Sequence, residues 1–298
     1  LAATQAGVEL VEHFEEGRLG VDVGDLVGLE FTLLIGSGAI QDPEGKDGLA
    51  NLVAGAHRRG TAKRTAQEFA EAVEFLGADV GASAGHGATV VTAEFLAKDT
   101  REGLALVAEM VMDPAFDAEE LRREREEVLA ALRRRYENPS GIASLCYASF
   151  LYRGHPYGRA VVGGSTTVPN LTEKDVRAFY DRHDRPNNAI AVAVGDLSAE
   201  GLIGRVREAF GDWKAGLPGP PEPPAPAPET ARRILIVDKP GATQAQIRLG
   251  NISIARRDPE YVTARVANTV FGGGFSSRLV EELRIKRSLT YGAWSSFV

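Results

Sequence analysis

A proline-rich run divides this chain and constrains its fold more than any other feature of the sequence. It spans Gly216–Ala231 and reads GLPGPPEPPAPAPETA. Proline fixes φ and lacks a backbone N–H, so such a run favours extended polyproline II and cannot build a core. We therefore predict an extended linker at 216–231, which joins an N-terminal domain at 1–215 to a second domain that starts in 232–298.

The N-terminal part has an α+β pattern. Leu26–Ile35 is almost wholly apolar and predicts a central strand, Val80–Phe95 alternates weakly as in a hairpin, and Val8–Val11 and Ala189–Val194 predict further strands, the latter buried. Apolar stripes and capping residues predict helices at Leu49–Arg59, Thr65–Leu76, Thr100–Met112, Asp117–Tyr136, Thr172–His183 and Ser198–Trp213. We expect one face of the sheet to be covered by the helices that start near Thr65, Thr100 and Asp117.

After the linker the same order begins again. The pattern predicts strands at Arg233–Val237 and Gln244–Ile254, a helix capped by Asp258-Pro259, a glycine break, a helix at Ser276–Lys286 and a strand at Leu289–Val298. The second domain thus starts like a copy of the first. Because an α+β unit of matching size needs on the order of 100 more residues, we interpret this second domain as truncated.

Composition excludes several classes of function. The net charge of −7 argues against nonspecific nucleic-acid binding, since the arginines of 122–135 alternate with glutamates as on a solvated helix face. No apolar stretch is long enough to span a membrane. Cys146 is the only cysteine, which excludes an intrachain disulfide, and its apolar surroundings predict a core position.

The compartment is open on sequence grounds, with the periplasm or cell envelope favoured over the cytoplasm. The sequence begins at Leu1 without a Met, which we interpret as removal of a preceding segment, by signal cleavage or because the sequence is a piece of a longer chain.

Five stretches carry a resemblance to a known family. They are PEGKDGLA at 43–50 with Gly60-Thr61, FDAEELRREREEV at 116–128, GHPYG at 154–158, Phe179-Tyr180 with Pro186–Asn188 and Gly195-Asp196, and FGGGFSSRL at 271–279 with Leu283-Arg284 and Leu289–Tyr291. In this order they resemble the insulinase–pitrilysin zinc peptidases, near the processing-peptidase branch. The resemblance implies two homologous α/β sandwich domains.

The family's zinc motif is absent from the matching positions. That motif is His-x-x-Glu-His on one helix, with a third ligand, a Glu, on a later helix. In the gapless registration the two His positions are Asn51 and Gly55, the general base is Ala54 and the third ligand is Ala131. The resemblance therefore implies no zinc and no other cofactor on this chain, although the neighbouring family Glu is retained as Glu124.

The histidines do not form an alternative pair of metal ligands within one helix. No two of His13, His57, His86, His155 and His183 lie within one helical turn. His57 precedes two arginines and is expected to be exposed. His86 is expected at a hairpin tip, His155 in a turn, and His183 at a helix end, where a cation suits the dipole.

The resemblance also identifies residues that could serve a partner. In the family an Arg and a Tyr of the C-terminal domain hold the substrate backbone and stabilise the oxyanion, and the matching residues are Arg284 and Tyr291. Spacing alone favours Arg284 as an ordinary helix cation and Tyr291 as a core aromatic, whereas the surrounding match favours the roles that these residues have in the family. In two-subunit relatives the ligands lie on one subunit and this pair on the other. The family binds peptide substrates as an added strand, and the matching strand is about Val80–Ala84.

Three hypotheses follow. The first is a non-catalytic subunit that completes the active site of a homologous, ligand-bearing zinc peptidase subunit and binds its peptide substrate. The second is a structural or peptide-binding protein with no peptidase partner. The third is an active peptidase whose ligands lie elsewhere.

Overall fold

The computed structural model describes residues 28–195, 197–217, 219, 223–227 and 231–297. The predicted strand at Val8–Val11 lies outside them. The chain forms two compact units, of which the first holds the described residues up to Ala225 together with Leu235–Arg248, and the second holds Pro226–Ile234 together with the residues from Leu249. The described residues of the proline-rich run form no helix and no strand. The domain division at 216–231 stays a prediction.

The first unit contains a four-stranded sheet. Its strands are β1 (Gly28–Ile35), β2 (Asp79–Ala84), β3 (Thr89–Leu96) and β4 (Ala189–Val194). The order is β2-β3-β1-β4 and each neighbouring pair is antiparallel, which confirms β1 as a central strand and β2–β3 as a hairpin. The expectation that β4 is wholly buried is wrong, because alternate residues of this edge strand, Ile190, Val192 and Val194, are exposed.

Seven α-helices of the first unit are described. They are α1 (Leu49–Ala56), α2 (Ala66–Phe75), α3 (Thr100–Met112), α4 (Ala118–Glu137), α5 (Pro139–Leu151), α6 (Glu173–His183) and α7 (Ala199–Phe210). Thr65 forms the predicted reciprocal capping box, and Thr172, at the predicted start of α6, forms another. Helix α5 was not predicted, although Asn138 caps it and Pro139 occupies its first position. Cys146 lies on α5 and is half-buried, so its predicted core position is wrong.

Three buried clusters hold these elements, the smallest of which contains Val128, Leu132 and Val168. In the first, the sheet packs against α2, α3 and α7, with Phe31, Phe95 and Phe210 among its buried residues. In the second, α1 packs against α4 and α6. The expectation that α4 covers the sheet is therefore wrong, because its Leu121 packs in the cluster of α1 and its Val128 and Leu132 pack with Val168. Helix α7 is the third helix on the sheet. None of the described helices is both long and apolar enough to cross a membrane.

The second unit contains α8 (Tyr261–Asn268) and two π-helical segments, Thr269–Gly273 and Val280–Ile285. Helix α8 starts at Tyr261, two residues after the predicted first position Pro259, and Asp258 accepts a hydrogen bond from the backbone N of Glu260 before that start. The strands predicted at Arg233–Val237, Gln244–Ile254 and Leu289–Val298 do not form in the described residues. A strand needs a partner to pair its backbone groups, and these segments have no ladder partner in the described part of the chain.

Candidate functional site

The helix at the position of the family's zinc motif, α1, is fixed at its start by a buried carboxylate. Asp42 accepts hydrogen bonds from the backbone N of Gly48 and of Ala50, both at 2.8 Å. Gly48 has φ of 98°, which glycine adopts without strain. Burial raises the pKa of Asp42 to about 7, against the lowering effect of these bonds. Asp42 thus supplies a remote cap for the orphan N–H groups of α1.

The end of α1 is fixed by His57, and the expectation that His57 is exposed is wrong. Its side chain is fully buried, with Nδ1 3.1 Å from the carbonyl of Met110 and Nε2 2.9 Å from Oδ2 of Asp184. Val53 and His57 lie one helical turn apart on the buried face. That periodicity is the signal that outweighs the neighbouring arginines. The sequence contains no comparable signal for Asp184 or Asp42.

The four residues that we align with the zinc motif have no imidazole or carboxylate side chain. On α1, Ala54 is buried, whereas Asn51 and Gly55 are half-buried; Ala131 is exposed on α4. A Cβ placed on Gly55 would lie 2.1 Å from Oε1 of Glu124. Gly55 and Glu124 therefore touch across the α1–α4 interface, at the position from which a side chain on residue 55 would project.

An ion-pair cluster occupies the space beside Gly55. The guanidinium of Arg59 contacts Glu124 at 2.8 Å and Glu127 at 2.5 Å. Glu124 is largely buried, with 13% of its side chain exposed, whereas Glu127 is open to solvent. The two carboxylates nearest the motif are thus already bound by one cation.

These residues do not fit a zinc ion. A catalytic zinc site uses three His, Cys or carboxylate ligands, whereas here the matching positions offer an amide, two methyl groups and a hydrogen. In the part of the chain that the structure describes, no group of three or more His, Cys, Asp or Glu side chains is placed to hold a metal ion.

Strand β2, beside α1, has an unpaired edge among the described residues. It pairs with β3 alone. The hydrogen bond from the backbone N of Gly85 to the carbonyl of Ala88 shows which residues of β2 direct their backbone groups toward β3 and which direct them outward. Because inward and outward backbone groups alternate along an antiparallel edge, Val80, Ala82 and Ala84 direct their N–H and C=O groups outward. This edge can accept an extended peptide as a fifth strand.

The second unit contains Arg284 and Tyr291. Arg284 lies in the π-helical segment Val280–Ile285, with its guanidinium carbon 4.7 Å from the ring centroid of Phe275. Tyr291 is 86% exposed. Neither side chain is part of a core in this unit, and the phenol has a free face.

Comparison with known proteins gives two family matches. The description "Insulinase (Peptidase family M16)" matches residues 30–165, and "Peptidase M16 inactive domain" matches residues 170–298. Proteins named as uncharacterized zinc proteases are similar in sequence. The one from Streptomyces coelicolor is 30% identical over 245 residues, covering 80% of this chain and 52% of its own length. The one from Mycobacterium tuberculosis is 29% identical over 243 residues, covering 80% and 55%.

Two solved structures are similar in fold. A peptidase M16 inactive domain from Pseudomonas fluorescens has a TM-score of 0.79 and 30% identity, and the match covers 91% of this chain and 66% of that one. A protease from Helicobacter pylori has a TM-score of 0.76 and 23% identity over the same shares. The chain spans about half the length of the curated relatives that it matches. With both halves matched by descriptions of one family, in the order that the motifs indicated, this chain belongs to the insulinase family of peptidases, M16.

Proposed function

We propose that this chain is the non-catalytic subunit of a two-subunit zinc metallopeptidase. It binds the peptide substrate and contributes Arg284 and Tyr291 to the active site of a homologous subunit that carries the zinc ligands. The observation that carries the proposal is the contact between Gly55 and Glu124. Helix α1, which we align with the family's metal-binding helix, is fixed at both ends, and the space beside Gly55, the residue aligned with the second ligand, is occupied by the carboxylate of Glu124 that pairs with Arg59.

Two features support a role in substrate binding. The outward N–H and C=O groups of Ala82 on β2 offer backbone hydrogen bonds to an extended peptide, and the small side chains of VGASA at 80–84 leave room for its approach. Tyr291 is 86% exposed, so its hydroxyl is available to a reacting carbonyl.

The test is reconstitution with a ligand-bearing homologue from the same source. We expect the isolated chain to hold no stoichiometric zinc and to cleave no peptide, whereas the pair holds one zinc per heterodimer and cleaves peptides. The elemental zinc content of each subunit, and its peptide hydrolysis with and without a chelator, are the measurements. Chelator-sensitive hydrolysis by the isolated chain, with one zinc bound, would refute the proposal.

A second candidate is a peptide-binding protein without a peptidase partner. It is favoured by the open edge of β2, because strand addition needs no metal. This second function would be favoured over the first by two results together. The isolated chain would bind peptides, and on mixing with any His-x-x-Glu-His homologue of the source organism it would neither associate nor gain activity.

A further inference from the structure

Four aromatic rings of the first unit form one cluster at the end of the β2–β3 hairpin. Tyr157 lies at its centre, with ring centroids 5.5 Å from His86, 5.7 Å from Tyr152 and 5.0 Å from His155. All four residues are half-buried, so the cluster has an open surface. We refer to these four residues as the His–Tyr cluster.

The proline-rich segment of the chain contacts this cluster at His155. Nε2 of His155 lies 2.7 Å from the carbonyl oxygen of Pro224. The other ring nitrogen, Nδ1, accepts a hydrogen bond from the backbone N of Tyr157 at 3.2 Å. Because Nδ1 accepts, the proton lies on Nε2, and His155 is a donor toward Pro224.

This arrangement has the two components that polyproline recognition uses. Proline-rich chains offer carbonyl oxygens and pyrrolidine faces but no N–H groups, and the grooves that bind them provide aromatic rings and hydrogen-bond donors. The His–Tyr cluster supplies the rings, and His155 supplies the donor. Proline also fixes φ near the polyproline II value, so little conformational entropy is lost when the segment docks.

A second anchor lies earlier in the same run. The side chain of Asn187 accepts from the backbone N of Gly216 at 2.8 Å and donates to the carbonyl of Leu217 at 3.0 Å. The run is therefore hydrogen-bonded to the first unit at Asn187 and again at His155, and its described residues up to Ala225 belong to that unit.

We propose that the His–Tyr cluster is a polyproline-binding surface whose occupant is the chain's own segment Pro223–Ala225. The segment is a docked strap of the first unit rather than a free linker. Its attachment depends on the Nε2–H donor of His155.

The test uses two spin labels, on cysteines introduced at the exposed Arg153 and Ala225, in a Cys146→Ser background of the full chain. A docked strap gives one narrow distance distribution. His155→Asn keeps an acceptor for the N–H of Tyr157 but is too short to reach Pro224, whereas His155→Gln places an amide N–H where Nε2 was. We expect the Asn variant to shift the docked-to-free ratio roughly fivefold toward free, as for the loss of one neutral hydrogen bond, and the Gln variant to keep the narrow distribution.

Circular dichroism and the unfolding midpoint serve as fold controls for both variants. A competition experiment adds a second readout, in which a synthetic peptide of the strap sequence, added in excess, should displace the segment from the parent and from His155→Gln and broaden their distance distributions. An unchanged distance distribution in His155→Asn, or equal release in the Asn and Gln variants, would overturn the proposal.

Discussion

His57 and Asp184 join the end of α1 to the end of α6 through a buried contact of 2.9 Å between Nε2 and Oδ2. The side chains are 0% and 1% exposed. The carbonyl of Met110 can only accept, so Nδ1 of His57 carries a proton and donates it to that carbonyl. A second proton lies between Nε2 of His57 and Oδ2 of Asp184. This pair fixes the end of α1, the helix whose sequence we align with the family's zinc motif.

Removing one partner of this pair should be costly. Asp184→Ala leaves a buried imidazole without its acceptor, so we expect the free energy of unfolding to fall by about 3–5 kcal/mol in denaturant titrations. The matched control is Asp181→Ala on α6, which removes an exposed ion pair with Arg185 and should cost less than about 1 kcal/mol. Similar losses for the two variants would show that the buried pair contributes no more than a surface pair.

Asp42 should make stability depend on pH in a direction opposite to that of a salt-bridged carboxylate. Its pKa is raised by burial from 3.8 to about 7, so between these values the folded chain holds a proton that the unfolded chain has released. Its contribution to stability is largest below the ordinary pKa and is lost as pH rises toward about 7. From about pH 5 to pH 7, this loss is about 2–3 kcal/mol.

The comparison of the parent with Asp42→Asn isolates this effect, since other titrating groups are common to both. We expect the difference in unfolding free energy between the two proteins to shift in favour of Asp42→Asn as pH rises. A difference that does not vary with pH would exclude a raised pKa for Asp42.

Two glycines in helix interiors should respond in opposite directions to the same substitution. Gly204→Ala on α7 places its methyl group in open space and should stabilise by about 0.5–1 kcal/mol. Gly55→Ala must displace the carboxylate of Glu124, 2.1 Å from the new Cβ, and so disturb the Arg59 pair. We expect it to cost about 1–2 kcal/mol.

A double-mutant cycle tests the cause. In a Glu124→Ala background the overlap is gone, and Gly55→Ala should become neutral or stabilising, with a coupling free energy of about 1 kcal/mol or more. Additive effects of the two substitutions would show that Glu124 does not fill the space beside Gly55.

Much of the first unit could be predicted because its signals are local. The apolar run of β1 and the capping boxes at Thr65 and Thr172 fix elements through residues close in sequence. The contacts that position α1 are not local, since Asp184 lies 127 residues from His57. The apolar face of α4 could pack on the sheet or on α1. The spacing of its apolar residues is the same in both cases, so the sequence of α4 does not distinguish them. The strands predicted after the proline-rich run failed because strand formation requires a pairing partner, which no local pattern supplies.

The edge of β2 should bind peptides through its backbone. Ala82→Pro removes one outward N–H and leaves the ladder with β3 intact, since edge strands tolerate proline where the N–H faces outward. We expect it to abolish binding of a labelled library of short unstructured peptides in fluorescence anisotropy. Ala82→Val keeps the N–H and should retain binding, so equal binding by the two variants would place the peptide elsewhere.

Tyr291 is the most direct test of a contribution to a partner's active site. In the reconstituted pair, Tyr291→Phe removes one oxyanion donor, so kcat should fall roughly 10²–10³-fold while the subunits still assemble. Arg284→Ala should raise KM more than it lowers kcat, since the proposed role of Arg284 is to hold substrate backbone away from the scissile bond. Tyr261→Phe is the matched control in the same unit, because the Tyr261 ring packs against Phe297, and it should leave both constants unchanged. If Tyr291→Phe and Tyr261→Phe give the same rate as the parent pair, Tyr291 does not reach the reacting carbonyl, and the zinc-bearing subunit must provide its own oxyanion donor.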